Sequence, residues 1–302
     1  MTIDSAVLAE LTAAGLDPAL VARVVEQALA EDLADGPDLT TSATIPAEQQ
    51  GRAELVPRQP GVLAGLPVAC FVFGAVGEVH CQPLVTDGSF AAAGETVLVV
   101  TGPVRDLLTA ERTALNLLTH LSGIATLTRA WVDAVSGNGA ARIRDTRKTM
   151  PGLRALEKYA VRCGGGVNHR MSLSDAALIK DNHVAAAGSV GRAFDLVRAA
   201  GAGRALSIEV EVDTVAQCAE AIEAGAELIL LDNMSLDELR SCVSLAAGLD
   251  VRLEASGGLS LDTAAEVAAT GVDYLAVGAL THSAPVLDIG LDLTTLSPSS
   301  RS

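Results

Sequence analysis

Hydrophobic residues recur at helical spacing near the start of the chain. Residues 18–34 place apolar side chains along one face, and Pro18 stands in the first turn, where its missing N–H costs nothing. This pattern predicts an amphipathic helix. Residues 35–46 are rich in turn-forming residues, and residues 52–101 then alternate short Val/Leu-rich runs with Gly and Pro. Such a rhythm is typical of short antiparallel strands.

A long helical pattern follows, over residues 106–135, and it contains no proline. Gly123 lies in its middle, and the low helix propensity of glycine predicts a division into two helices there. This stretch separates two differently patterned parts of the chain. We therefore predict a mixed α/β domain over residues 1–115 and a second domain over residues 116–279.

Strand-like and helix-like patterns alternate beyond residue 140. The predicted strands are residues 141–146, 176–180, 206–212, 227–232, 251–256 and 273–278, and the predicted helices include residues 151–162, 214–225, 235–246 and 260–270. Alternation at this spacing predicts a parallel sheet. The strands are nearly all apolar until a polar residue at the C-terminal end, which favours a barrel-like closure of about six βα units. A doubly wound sheet is the alternative, although no G-x-G-x-x-G follows the first strand.

Composition narrows the class of protein. The chain has 302 residues and 49% hydrophobic content, enough for a large core. Its apolar runs are far shorter than the roughly 20 residues that span a bilayer, and its N-terminus lacks a signal-peptide pattern. The five cysteines form no CxxC pair, which favours buried thiols in a reducing compartment. We therefore expect a cytoplasmic protein without a membrane partner.

Positive charge is concentrated in one stretch of an acidic chain. The formal net charge is −16 and the pI is about 4.6. Residues 140–183, here called the basic segment, nevertheless hold nine Arg and Lys against four Asp and Glu, including every lysine of the protein. The overall acidity argues against nucleic acid as a partner, because phosphate backbones need a dominant basic face. A small anion fits so local an excess, although charge runs are more often solvated surface.

The ends of the predicted strands carry the candidate chemistry. Basic residues follow the first two strands, carboxylates follow the next two, and Ser256-Gly257-Gly258 follows the fifth. Arginine pairs bidentately with carboxylates and lysine acts as a point charge, so the mixture suits a ligand that carries carboxylate and phosphate. Backbone N–H groups after Ser256 suit a phosphate. A simpler interpretation remains for each: Asp232 could be a helix cap, and Ser-Gly-Gly could be a plain turn.

Several motifs, in order, resemble one enzyme family. They are ERTALNLLTHLSGIAT, RDTRKTMPGLRALEKYAVRCGGGVNHR, ALIKDNH, IEVEV, LLDN, EASGG and DYLAVGALTHS. The sequence over residues 20–292 resembles quinolinate phosphoribosyltransferase. The resemblance implies a mixed α/β N-terminal domain plus an incomplete α/β barrel of the TIM type, with residues 280–302 returning to the first domain. It also implies a homodimer, with larger assemblies such as a hexamer.

The resemblance further implies a reaction and roles for residues. Quinolinate and phosphoribosyl pyrophosphate would give nicotinate mononucleotide, pyrophosphate and carbon dioxide, with Mg²⁺, in NAD biosynthesis. Lys148, Lys180, Glu211 and Asp232 would be catalytic, and the last two would also hold the metal. Substrate would contact Arg112 of the partner subunit, and Thr146, Arg147, His169, Arg170, Ser256, Gly257, Gly258, Gly278 and His282.

Some points stay open at the level of sequence. Glu209 and Glu211 are both candidates for the ribose carboxylate, and the family register favours Glu211. Many family members have Ser-Gly-Asn where this chain has Ser256-Gly257-Gly258. An aldolase-type barrel with Lys180 as a Schiff-base lysine is a rival hypothesis, and a non-catalytic or divergent relative is another. Arg154, Lys158 and Arg162 are expected on a solvated or subunit-facing surface.

Overall fold

The computed structural model describes residues 3–34, 36–201 and 206–295. The chain forms two compact units, one of Met1–Leu127, Met150–Gly164 and Ser283–Ser302, and one of Thr128–Thr149 and Gly165–His282. The domain boundaries at residues 115/116 and 279/280 stay a prediction, and the outer ends of the first predicted domain, residues 1–2 and 296–302, lie outside the described residues.

Helices in the first unit come mostly from its N-terminal part. They are α1 (Ser5–Ala13), α2 (Pro18–Asp32), α3 (Leu39–Thr44), α4 (Leu66–Val76), the first part of α5 (Val104–Val135) and α6 (Arg154–Cys163). The amphipathic helix predicted after residue 17 is confirmed as α2, which Asp17 caps and Pro18 begins. Within the described residues no single helix is long and apolar enough to cross a membrane; α1 and α2, a bent pair, pass that test only together.

The first unit also contains an antiparallel sheet. Its strands are β1 (Gln50–Pro57), β3 (His80–Pro83), β5 (Leu98–Pro103) and β12 (Ile289–Thr295), in the order β12-β1-β5-β3, and β2 (Gly61–Val62) pairs with β4 (Phe90–Ala91). The predicted antiparallel strands are thus confirmed, but α4 interrupts them. Its sequence, LPVACFVFGAV, is apolar on nearly every side and buried, so no periodicity distinguishes it from a strand. The predicted turn-rich segment likewise contains α3, which Asp38 caps.

Helix α5 is one continuous helix of 32 residues, so the predicted division at Gly123 is wrong. A Cβ at Gly123 would lie against the carbonyl oxygen of Pro285 and 2.9 Å from the Cα of Val286. Glycine is therefore required there by the close approach of another backbone segment, not by a break in the helix.

The second unit contains the predicted parallel sheet. Its strands are β6 (Arg142–Arg144), β7 (Ala177–Ile179), β8 (Ile208–Val212), β9 (Leu228–Asp232), β10 (Arg252–Ser256) and β11 (Tyr274–Ala276). The helices that follow them are α7 (Asp181–Ala187), α8 (Val190–Ala200), α9 (Val215–Glu223), α10 (Leu236–Ala246), α11 (Leu261–Ala268) and α12 (Ala279–His282). All six predicted strands are present, whereas α7 and α8 were not predicted.

Strand order defines the second unit as an incomplete barrel. The order β6-β11-β10-β9-β8-β7 is sequential around a ring, with β6 beside β11 and no direct ladder between β6 and β7 among the described residues. Val167 partly fills this opening, because its N–H donates to the carbonyl of Ile143 at 2.8 Å and its carbonyl accepts from Asp145. A doubly wound sheet reverses its strand order at a switch point, so that alternative is wrong.

Candidate active site

A cavity of about 330 Å³ opens at the carboxyl ends of the barrel strands. Parallel partners place residues of one layer side by side: Glu211 lies beside Leu230, which lies beside Glu254, and Asp232 lies beside Ser256. These residues share the inner face of the sheet because side chains alternate with period two. The cavity is lined by Thr146, Arg147, Lys148, His169, Arg170, Leu178, Lys180, Glu211, Leu230, Asp232, Glu254, Ser256 and Ala276.

Two arginines supply the positive charge at the open side of the barrel. Arg147 follows β6 and Arg170 precedes β7, and among the described residues the buried Nε atom of each has no hydrogen-bond partner. Burial, and then the neighbouring charge of Arg147, lower the pKa of Arg170. Two guanidiniums that repel each other and keep unused donors suit an anion with more than one negative group.

Backbone contacts hold Lys148 at the same edge. Its N–H donates to the hydroxyl of Thr146 at 3.0 Å, and its carbonyl accepts from the hydroxyl of Thr281 at 2.8 Å. Gly278 lies close to Lys148 and to His282. A Cβ on Gly278 would be 3.0 Å from Lys148 Cδ and 3.2 Å from His282 Nε2. Gly278 and His282 therefore lie next to Lys148, although neither lines the cavity itself.

Two carboxylates lie on the next strands around the ring. Glu211 forms an ion pair with Lys180, and Asp232 accepts a hydrogen bond from the side chain of Asn233 at 2.7 Å. Asp232 caps no helix, since Ser235 is the N-cap of α10. Of the two glutamates left open by the sequence, Glu211 lines the cavity, whereas Glu209 is 3% exposed and lies one layer deeper.

The Ser256-Gly257-Gly258 turn requires its glycines. Gly257 has φ 83° and Gly258 has φ 62°. A Cβ on Gly257 would meet the side-chain oxygen of Asn233 and, at 2.9 Å, its backbone nitrogen. Ser256 lines the cavity, while the two glycines follow it before α11, whose N-cap is Ser260.

Four charged side chains cluster at the floor of the cavity, and two of them, His169 and Glu254, also line it. Arg144 forms a short ion pair with Glu254 and lies 3.9 Å from Glu209. The imidazole of His169 lies 2.7 Å from Glu209 and 3.9 Å from Glu254. Burial, and then the charge of Glu209, raise the pKa of Glu254 to about 8. We call these four residues the buried layer.

Metal-ligand atoms converge in this buried layer as well as in the cavity. His169, Glu209 and Glu254 offer atoms within 4.8 Å of one another. Arg144 already donates a hydrogen bond to Glu254, and His169 Nδ1 accepts the Arg170 N–H, so the Nε2 of His169 carries a proton and cannot ligate. Glu211 and Asp232 are the more suitable ligands for a hard cation, because they are partly exposed in the cavity, whereas Glu209 and Glu254 are buried.

Other predicted residues lie elsewhere. Arg112 is an exposed residue of α5 in the first unit, where it lines a separate cleft with Asp32, Asp38 and others. Lys158 is fully buried in the first unit, so its predicted surface position is wrong, and Arg162 donates to the carbonyl of Ala14. Six consecutive residues of α6, from Leu156 to Val161, are buried, so this part of the helix is enclosed on every side and leaves Lys158 no solvent-facing position.

From the sequence, no role is assigned to two buried acidic residues near the cavity, Asp145 and Glu254, and Glu211 is favoured over Glu209. Asp145 is fully buried and accepts hydrogen bonds from the backbone of His169 and the side chain of Asn168. Glu209 and Glu254 stand two residues before Glu211 and Ser256, and so face the same way. The same alternation, applied to β10, predicts that Glu254 faces the cavity together with Ser256.

Comparison with known proteins agrees with this geometry. Family models described as the C-terminal and N-terminal domains of quinolinate phosphoribosyl transferase match residues 124–292 and 38–122. The barrel and its polar strand ends are those of an α/β-barrel enzyme. With these matches, the chain belongs to the quinolinate phosphoribosyltransferase family.

Individual relatives are similar over most of their length. The nicotinate-nucleotide pyrophosphorylase (carboxylating) of Mycobacterium leprae is 55% identical over 277 residues, which cover 89% of this chain and 95% of that protein. A probable enzyme of the same name from Bacillus subtilis is 44% identical, covering 87% and 90%. The crystal structure of NadC from Streptococcus pyogenes is 43% identical with a TM-score of 0.89, covering 93% of this chain and 99% of that one.

Proposed function

We propose that this cavity is the active site in which the chain joins quinolinate to the phosphoribosyl group of phosphoribosyl pyrophosphate. The products are nicotinate mononucleotide, pyrophosphate and carbon dioxide, in the biosynthesis of NAD. One observation carries the proposal: Arg147 and Arg170, two half-buried arginines whose buried Nε atoms have no partner among the described residues, share a cavity with carboxylates in a chain of this family.

Quinolinate is a dicarboxylate and matches the cationic side of the cavity. Arg147 and Arg170 would each bind a carboxylate, and Thr146 would add its hydroxyl. Binding relieves the repulsion between the two guanidiniums, which favours a dianion over a monoanion. Arg112 would reach the same ligand from a partner subunit, so the proposal includes a homodimer, and a hexamer built from it.

Phosphoribosyl pyrophosphate would occupy the other strand ends. The turn at Ser256, Gly257 and Gly258 would receive the 5′-phosphate, because backbone N–H groups there precede a helix. Gly278 and His282 lie beside Lys148 and would complete this phosphate site. The ribose hydroxyls would then face Asp232 and Glu211, one and two strands further around the ring.

Magnesium fits the carboxylates of the cavity. Glu211 and Asp232 present partly exposed oxygens, and Mg²⁺ is usually held by one or two carboxylates together with substrate phosphates. When bound, the ion would neutralise charge on the pyrophosphate. A cytoplasmic location belongs to the same proposal, as the pattern of free cysteines indicates.

Bond formation at the anomeric carbon defines what the side chains must do. The ring nitrogen of quinolinate forms the new C–N bond while the bond from carbon to pyrophosphate oxygen breaks, and positive charge develops on the ribose. Glu211 and Asp232 stabilise that charge, and Lys148 and Lys180 stabilise the departing anion. The arginines hold the nitrogen in line for attack.

Decarboxylation follows from the product of the first step. N-ribosylation turns the ring into a pyridinium, which accepts the electron pair left at carbon 2 when carbon dioxide departs. A proton then replaces the carboxylate. The substrate supplies its own electron sink, so the protein contributes orientation and charge stabilisation.

Lys180 is poorly suited to Schiff-base chemistry. Its ammonium forms an ion pair with Glu211, whereas a Schiff base needs the neutral amine. The direct test is to incubate the protein with quinolinate, phosphoribosyl pyrophosphate and Mg²⁺. We expect nicotinate mononucleotide, pyrophosphate and carbon dioxide in equal amounts; an adduct trapped on Lys180 by borohydride with a carbonyl substrate would instead support the aldolase hypothesis.

A further inference from the structure

We propose that Glu209 is a positioning residue that acts through His169 to hold Arg170 at the cavity. The inference rests on the proposed function, because it concerns how the same cavity binds quinolinate. On this account His169 supports an arginine and does not itself contact a carboxylate. Its role therefore differs from the one that the family resemblance implies.

The hydrogen bonds of His169 define its protonation. The Nδ1 atom accepts the backbone N–H of Arg170 at 2.7 Å, so Nδ1 carries no proton. The proton of a neutral imidazole must then be on Nε2, which lies 2.7 Å from Glu209 and donates to it. Both ring nitrogens are thus engaged within the protein. Direct contact with a carboxylate would require one of these bonds to break.

A second carboxylate fixes the backbone of the same residue. Asp145, at the end of β6, is fully buried and accepts the N–H of His169 at 2.8 Å. His169 is only 8% exposed. His169 lines the cavity, but because its main chain is bound to Asp145 and its ring to Glu209, the ring has little freedom to reorient toward a ligand there.

Arg170 needs such an anchor. Its guanidinium is next to that of Arg147, and burial and this like charge lower its pKa. Repulsion favours a rotation of Arg170 toward water, where its charge is better solvated. The hydrogen bond from Arg170 Nη1 to the carbonyl of Ala176 at 2.9 Å opposes that rotation, and the one from its backbone N–H to His169 fixes the backbone from which the side chain extends.

Glu209 is itself held in place for this task. One of its oxygens accepts from His169, and the other lies 3.9 Å from the guanidinium of Arg144. Glu211, two residues later, faces the cavity and pairs with Lys180. The two glutamates of β8 therefore have separate roles, one in the buried layer and one beside the substrate.

Two substitutions at Glu209 test the role by calorimetric titration with quinolinate and, separately, phosphoribosyl pyrophosphate. Glu209→Leu removes the acceptor, and we expect quinolinate affinity to fall at least tenfold while phosphoribosyl pyrophosphate affinity changes less than threefold. Glu209→Gln keeps an oxygen that accepts from Nε2, and we expect it to recover affinity to within threefold of wild type. Equal losses in both variants would instead indicate a charged His169 on the carboxylate and would overturn the proposal.

A double-mutant cycle separates positioning from general damage. In an Arg170→Ala background, Glu209→Leu should weaken quinolinate binding by less than a further twofold, because the residue through which it acts is gone. Full additivity of the two losses would contradict the proposal. The wild-type protein is the reference. If wild type forms product and Glu209→Leu binds quinolinate normally, only this inference fails. If wild type binds no quinolinate, the proposed function is refuted.

Nitrogen NMR of the imidazole gives an answer that does not depend on the stability of any variant. The ¹⁵N shifts of His169 in the wild-type protein should show an unprotonated Nδ1 and a protonated Nε2, before and after saturation with quinolinate. A His169 protonated on Nδ1, or one that becomes doubly protonated when quinolinate binds, would overturn the proposal.

Discussion

Arg147 and Arg170 hold two positive charges close together at a site where the protein supplies few compensating hydrogen bonds. Their buried Nε atoms have no partner among the described residues. Hydrogen bonds to charged groups contribute about 1.5–3 kcal/mol each, so a dicarboxylate would gain a large part of its affinity from this pair.

Removing one of the two arginines should therefore weaken the binding of quinolinate more than that of phosphoribosyl pyrophosphate. We expect Arg147→Ala to weaken quinolinate binding about 10- to 150-fold, the range that one charged hydrogen bond predicts. Phosphoribosyl pyrophosphate binding should largely survive. Calorimetric titration of each substrate measures both effects, and Arg240→Ala, an exposed arginine outside the cavity, is the control. Equal losses of the two substrates would contradict the division of roles.

Glu254 carries a proton in the folded protein over a range of pH in which the unfolded chain has lost it. Burial and the charge of Glu209 raise its pKa from 4.5 to about 8. A raised carboxyl pKa contributes stability that is present below about pH 4.5 and is lost as the pH rises to about 8.

Glu254→Gln removes this titration and keeps the shape of the side chain. The free energy of unfolding of the variant, minus that of wild type, should rise between pH 5 and pH 8, by at most about 1.4 kcal/mol per pH unit. Urea unfolding at each pH measures it. Glu238→Gln is the control, because a hydrogen bond from Ser235 lowers the pKa of this exposed carboxyl. The difference in free energy of unfolding between this variant and wild type should therefore not change with pH above pH 5. Parallel pH profiles for wild type and Glu254→Gln would refute the assignment.

Residue types at strand ends were predictable from sequence, but their partners were not. Lys180 and Asp232 stand out because a polar residue ends an apolar run, and both line the cavity. Nothing in the sequence indicates that His169 Nδ1 accepts a backbone N–H, or that Glu209 and not Glu211 lies beside it. Those contacts depend on three segments meeting within a few ångströms.

Helices with one polar and one apolar face could be predicted from the periodicity of the sequence. A helix that is apolar on all sides could not. Helix α2 alternates polar and apolar sides and was predicted, whereas α4 is apolar almost throughout and was mistaken for strands. Helix α5 shows a third case, in which intrinsic propensity was overridden. Gly123 lowers helix propensity, yet the helix continues because the glycine makes room for Pro285 and Val286.

Substitution of Gly123 tests that explanation. Gly123→Ala should destabilise the protein by about 1–3 kcal/mol, because the methyl group would overlap a backbone carbonyl, although alanine favours helix. Gly191→Ala on α8 is the matched control, since the nearest atom to its Cβ is 3.5 Å away. We expect that variant to change stability by less than about 1 kcal/mol. Thermal or urea unfolding compares them; a stabilised Gly123→Ala would show that the close contact is not limiting.

The whole molecule places a cationic cavity in an acidic chain. The net charge is −16, yet Arg147, Lys148 and Arg170 converge where the barrel ring opens between β6 and β7. The alternating pattern predicted the parallel sheet and its active end, because βα repeats permit few topologies. It could not predict where the ring opens, since that depends on how Val167 pairs with β6. The assembly of subunits around Arg112 stays a prediction.

Turnover of labelled quinolinate shows whether the protein carries out both the transfer and the decarboxylation. With ¹⁴C in the 2-carboxylate, phosphoribosyl pyrophosphate and Mg²⁺, we predict labelled carbon dioxide and unlabelled nicotinate mononucleotide in equal amounts, and no mononucleotide when nicotinate replaces quinolinate. Nicotinate that serves as well as quinolinate, or the absence of labelled carbon dioxide from a folded protein that binds both substrates, would contradict the proposed function.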